Sequence, residues 1–83
     1  MTDSHVFGDL DSDGIEVIAR GSRYFVHYET GGHQTAWRED ELTSEQAERI
    51  RGGEDAILKV LLEVQRAVQS QGGDPFKENW MRP

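Results

Sequence analysis

Hydrophobic positions change period once along the chain, near residue 42, and that change divides the sequence into a strand-like half and a helix-like half. From Ile15 to Glu39 the segments IEVIAR, RYFVHYET and QTAWRE are rich in β-branched and aromatic side chains, and they are separated by Gly21-Ser22 and by Gly31-Gly32-His33. Segments of this kind between glycine-bearing turns predict a three-stranded antiparallel meander over residues 14–40. Alternation puts Tyr24, Val26 and Tyr28 on one face of the central strand and Phe25 and His27 on the other. Both faces carry bulk, so the second face needs a partner or must itself be amphipathic.

From Thr43 the pattern is helical, with two helices expected within residues 43–71. Thr43 and Gln46 have the spacing of a capping box, in which each side chain satisfies the other's backbone N–H. The first helix runs through SEQAERIR to Gly52-Gly53. The second spans residues 54–71, opens with Glu54 and Asp55 at the positive end of its dipole, and ends at Gly72-Gly73. At 100° per residue Ala56, Ile57, Val60, Leu61, Val64, Ala67 and Val68 form a stripe about 140° wide that suits packing on a sheet. Leu58 and Leu62 fall outside this stripe. Their cover is expected from Ala47 and Ile50 of the first helix or from a second copy of the long helix in a homodimer.

The tail GGDPFKENWMRP adds a third possibility for local structure. Asp74 suits a cap and Pro75 the first helical position, which would set Phe76 and Trp80 one turn apart on the same face. A fold-back of this segment onto a small core is expected over a free aromatic anchor, although tryptophan is also a frequent binding hot spot. The expected fold is therefore α+β in a single domain. A flexible acidic lead-in (1–13) precedes a three-stranded antiparallel β-meander, a short helix and a longer amphipathic helix packed on one sheet face, and the tail (72–83) has room for a short C-terminal helix. The alternative at the N-terminus is a fourth strand at His5–Phe7, which would turn Gly8–Gly14 into a hairpin loop.

Composition narrows the function classes. At 83 residues, 35% of them apolar, the chain can build one small core of modest stability. The absence of cysteine excludes disulfides, zinc-cysteine sites and thiol catalysis. Sixteen acids against nine bases give a net charge of -7, the wrong sign for phosphate backbones, so neither nucleic acid nor an anionic membrane is an expected partner. The acids cluster at residues 1–14 and 39–48, and such surfaces favour solubility and attract basic partners. No stretch approaches the ~20 apolar residues of a membrane span. The start Met1–Gly8 lacks the features of a signal peptide, so a cytoplasmic location is expected.

The one motif with specific chemistry is GDLDSDG. Asp9, Asp11 and Asp13 alternate before Gly14, as in the helix-loop-helix calcium loop, but position 12, where that loop places a bidentate glutamate, is Arg20. The following residues also read as a strand, which leaves at most a weak calcium contact through the three aspartates. A two-histidine, one-carboxylate set of His27, Glu29 and His33 can be drawn on one strand face, without a ligand motif to support it. Ser12, Ser22 and Ser44 have no evident base. No cofactor and no catalytic activity are expected.

What remains is a small acidic protein-interaction module, an inhibitor or accessory factor for a basic protein. The chain resembles accessory proteins of bacteria and phages in size and charge alone. The candidate partner-binding residues are Phe25, Trp37, Glu39, Asp40, Glu41, Leu58, Leu62, Phe76 and Trp80. The alternatives are a homodimer joined through the long helix and a calcium binder.

Overall fold

A four-stranded antiparallel meander in the order β1-β2-β3-β4 organises the chain, in a computed structural model that describes residues 3–30 and 36–82. The strands are β1 (Ser4–Asp9), β2 (Ile15–Arg20), β3 (Arg23–Glu29) and β4 (Trp37–Leu42). A single turn of helix, α1 (Leu10–Asp13), joins β1 to β2, and α2 (Ser44–Ile50) and α3 (Glu54–Ser70) follow the sheet.

The sheet thus has one strand more than the three expected, and the extra strand is the segment read as an acidic lead-in. Its alternation is concealed by a bulge: pairing runs Ser4↔Ala19 and His5↔Ile18, then skips a residue before Phe7↔Val17 and Gly8↔Glu16. Gly8 makes the pairing possible. Its φ is +81°, and a Cβ there would lie 2.5 Å from the Ile15 carbonyl oxygen. Asp9 then turns the chain by capping α1, where its Oδ1 accepts from the N–H groups of Asp11 (2.8 Å) and Ser12 (3.4 Å).

β2 and β3 match the expected segments, joined by the two-residue turn at Gly21-Ser22. The last strand runs three residues past the expected QTAWRE, to Leu42, where Glu39 and Glu41 find cations on the neighbouring strands (below); Gln34 and Thr35 lie outside the described residues. The Gly31-Gly32 turn and His33 lie outside the described residues.

One face of the sheet carries the main core. Val17, Val26, Tyr28 and Leu42 from the sheet meet Ile50 of α2 and Ile57, Val60 and Val64 of α3. The predicted capping box is present: Thr43 Oγ1 accepts from Gln46 N–H (3.1 Å) and Gln46 Oε1 from Thr43 N–H (3.0 Å). α3 ends where Gly72 adopts φ +85° and Gly73 N–H reaches the Val68 carbonyl at 2.9 Å.

The tail folds back, but as an extended strap rather than a helix. Pro75 is fully buried, while Phe76 is exposed. The strap straddles β4, the sheet's last strand. Arg38 donates through Nη1 to the carbonyls of Asp74 (3.1 Å) and Lys77 (2.7 Å), and Trp80 forms an antiparallel bridge with Trp37. Asn79 clamps the Glu39 backbone from both sides, accepting from its N–H (2.7 Å) and donating to its carbonyl (3.0 Å). Backbone groups along β4 that an edge strand would expose are thereby satisfied.

Replacing Gly8 by Ala forces an unfavourable φ and a clash with backbone. We expect a loss of more than about 1 kcal/mol of stability, measured as a lower urea midpoint at unchanged slope.

Candidate functional site

The outer face of the sheet, away from α2 and α3, carries the densest polar chemistry of the molecule. Register places Glu16, His27 and Glu39 side by side on β2, β3 and β4. The His27 side chain is 3% exposed, and its ring lies between the two carboxylates, with Nδ1 2.8 Å from Glu16 Oε2 and Nε2 2.7 Å from Glu39 Oε2. An ionised carboxylate only accepts hydrogen bonds. Both contacts are therefore satisfied when the ring carries both N–H protons, or when one carboxylate carries a proton.

The row continues through Arg20, whose Nη2 donates to Glu39 Oε2 (3.0 Å) and to Asp3 Oδ2 (3.0 Å). Burial works to raise the Glu39 carboxyl, but the hydrogen bonds from Arg20 and His27 outweigh it and hold the group below the usual carboxylate range. The hydrogen bond from Arg20 likewise lowers Asp3. One step along the strands, Arg23 Nε donates to Glu41 Oε2 at 2.9 Å, and the Phe25 ring lies under the guanidinium groups of Arg20 (4.7 Å) and Arg23 (5.5 Å).

Trp80 closes the row from above. Its ring stacks on His27 with centroids 3.8 Å apart and planes 12° from parallel. Arg82 continues past it, with its guanidinium 5.1 Å from the Trp37 ring centre and in an ion pair with Asp11 of α1. Leu10, Ile18, Glu16, His27 and Trp80 help line a shallow cleft of about 310 Å³ here. Both ring nitrogens of His27 are already engaged. The imidazole therefore directs no free lone pair into the cleft, which limits its use as a base or a metal ligand.

A second polar cluster anchors the strap from the other side of β4. Arg38, 7% exposed, donates to Asp40 through Nη2 (2.9 Å) and Nε (3.1 Å), and the Tyr28 hydroxyl donates to Asp40 Oδ2 (2.6 Å). Burial first, then the Asp40 carboxylate, raises the Tyr28 phenol.

Compared with known protein families, with curated proteins and with solved structures, the chain gives no match.

The candidate partner-binding residues therefore divide into two groups. Phe25, Trp37, Glu39, Asp40, Glu41 and Trp80 are engaged within the chain, in the contacts just described. Leu58, Leu62 and Phe76 remain exposed, at 63%, 47% and 58%. α2 does not supply the cover that the leucines were expected to find: Ala47 and Ile50 are buried, yet α2 reaches α3 on another flank, where Arg49 holds Glu63 through two hydrogen bonds (2.9 and 2.6 Å).

The aspartates of the calcium-like segment have separate tasks. Asp9 caps a helix, Asp11 pairs with Arg82, and Asp13 is exposed. Among the described residues no three His, Asp or Glu side chains are grouped to hold a metal ion. Glu29 pairs across the strands with Trp37, two residues from His27, and the row at His27 is completed by Glu16 and Glu39 instead. Sequence reasoning missed Glu16, Arg20, Arg38 and Asn79.

Two outcomes test this site. Glu39 has a lowered pKa in the folded chain, so the stability it contributes is present above its ordinary value of 4.5 and is lost as pH falls through the folded value. Glu39→Gln should flatten the acid limb of a stability–pH curve and lower stability at neutral pH. Trp80→Ala uncovers His27 and removes the bridge to β4, and calorimetry should show a loss of about 1–3 kcal/mol.

Proposed function

We propose that the protein is a non-catalytic protein-interaction module that docks through the outer face of α3. One observation carries the reading: Leu58 and Leu62 stand exposed, one turn apart, on a helix whose opposite side enters the core. At 100° per residue they point about 130–170° away from the centre of the core stripe, so no rearrangement of α2 short of moving it around the helix would cover them. In a molecule this small, two adjacent large apolar side chains left in water favour an interface.

Charge defines the partner's chemistry. The net charge of -7 favours an apolar strip bordered by basic side chains. Support for a non-catalytic role comes from the outer sheet face, whose ionisable groups are mutually satisfied rather than directed at a ligand.

The test is affinity capture with the wild-type chain and with a Leu58→Glu/Leu62→Glu variant, checked by circular dichroism to be folded. The expected result is a salt-sensitive partner retained by the wild type and lost by the variant. An identical captured set from both would overturn the reading.

A further inference from the structure

We propose that the strap is a proton-operated latch: Asn79 and Trp80 close over the sheet while both ring nitrogens of His27 are hydrogen-bonded, and they lift from β4 when that row loses one proton. The latch lies on the outer sheet face and is independent of the docking face on α3.

Both contacts of His27 are hydrogen bonds only while a proton lies between Nε2 and Glu39 Oε2 and another between Nδ1 and Glu16 Oε2. Burial works against the ionised form of Glu39, yet the hydrogen bonds from Arg20 and His27 outweigh it, so this carboxylate stays an acceptor for Nε2. Among the described residues Glu16 pairs with no arginine. The proton between Nδ1 and Glu16 is therefore the one that the row can release.

Its release acts on Trp80 in two ways. An imidazolium that holds both protons is a cation stacked on the face of an indole, with ring centroids 3.8 Å apart, and the neutral ring loses that attraction. Release also leaves a lone pair on Nδ1 facing a carboxylate oxygen 2.8 Å away. Glu16, about one-fifth exposed, can turn towards water, but the His27 side chain is 3% exposed and lies beneath Trp80. A buried acceptor without a partner is costly, and lifting Trp80 opens Nδ1 to water.

Glu39 carries the effect into the strap. Its side chain is the Nε2 partner, while its own N–H and carbonyl are held by Asn79 at 2.7 and 3.0 Å. The N–H groups of Asn79 and Trp80 share the Trp37 carbonyl, each at 3.3 Å. The other half of the strap rests on Arg38, which holds the carbonyls of Asp74 and Lys77. The hydrogen bond to Asp40 raises Arg38 against the effect of burial, and burial and then Asp40 raise the Tyr28 phenol, so neither gives up a proton near neutrality. The strap therefore opens from its Trp80 end and stays tethered at Asp74–Lys77.

Other charged groups surround the row on every element packed against it. Arg20 joins Glu39 to Asp3 ahead of β1, Arg23 pairs with Glu41, and Asp11 of α1 pairs with Arg82 of the strap. Asp9 caps α1, His5 of β1 contacts the Gly8 carbonyl, and Glu29 ends β3 in an exposed position. Each of these arginines already faces a carboxylate, so none replaces the lost proton at Nδ1. The closed strap is thus present below the pH at which this proton leaves and is lost above it. Opening frees the Trp37 carbonyl and both backbone groups of Glu39, which leaves an unpaired sheet edge at β4.

Nuclear magnetic resonance of the full chain between about pH 5 and pH 9 reads both events. The ring nitrogen shifts of His27 and the carboxyl carbon shift of Glu16 report the shared proton, and nuclear Overhauser contacts between the His27 and Trp80 rings report the strap. We expect those contacts to disappear with the midpoint of the proton's loss, while cross-strand contacts between β2 and β3 persist. In Glu16→Gln the side-chain amide accepts from a protonated Nδ1 and donates to a neutral one, so the Trp80 contacts should remain throughout. Circular dichroism at each pH checks that the variant is folded.

Rings that stay in contact after the proton has gone overturn the latch, as does a row that keeps its proton over the whole range. Loss of the β2–β3 contacts at the same midpoint also overturns it, because the proton would then control the whole fold. The wild-type titration decides these points by itself. A folded Glu16→Gln chain that opens at the wild-type midpoint overturns the assignment to the Glu16–Nδ1 contact.

Discussion

The carboxylate of Glu39 is the point at which this sheet is held together across its width. One oxygen accepts from the Nε2 side of His27 on β3 and from Arg20 on β2, while Arg20 in turn holds Asp3 at the start of β1. A single polar row therefore joins β2, β3 and β4 to the residue that leads into β1. Such a row is expensive to bury, and removing one member leaves the others short of partners. The fold meets this cost by keeping the row only partly enclosed. Glu16 and Glu39 remain about one-fifth exposed, and only the histidine is fully covered.

That arrangement explains why the tail belongs to the fold. A buried imidazole between two carboxylates needs an upper surface that excludes water without competing for hydrogen bonds, and the Trp80 ring supplies one. To reach His27 the tail must cross β4, and Arg38 and Asn79 hold it there through backbone groups. The edge of the sheet and the polar row on its outer face are thus closed by the same nine residues. A small chain without disulfides gains a second, satellite layer of burial in this way, with Leu10 and Ile18 beneath it.

Much of this was legible in the sequence, and the limits are physical. The period change near residue 42, the capping box and the glycine stop after α3 follow from local chemistry, and the structure has them. The two-residue turn at Gly21-Ser22 also fixes the β2–β3 register, so the pairing of Glu16 with His27 was available from Arg20↔Arg23 by counting back along both strands. The register of β4 was not, because the seven residues between Glu29 and Trp37 are too many for their length to fix the pairing. Glu39, Asp40 and Glu41 therefore read as a free acidic patch when each is neutralised across a strand or beside one. β1 was legible only as an alternative, at His5–Phe7, because its bulge breaks the alternation over so short a segment. The strap was hidden for a different reason: an extended tail held by side-chain clamps has no periodicity to detect.

The same accounting locates the surface left for association. Among the described residues six acids, namely Asp3, Asp11, Glu39, Asp40, Glu41 and Glu63, sit in ion pairs with arginines, and Glu16 is held by His27, so the charge that seemed to mark the sheet for a partner is largely internal. Exposed aromatic bulk on the outer face is used as well, by Phe25 under two arginines and by Trp37 under Arg82. An interface placed there would have to break contacts before making any. The outer face of α3 has no such obligation: its leucines touch solvent. Association through α3 therefore starts from surface already exposed, whereas association through the sheet would start from structure already spent on folding.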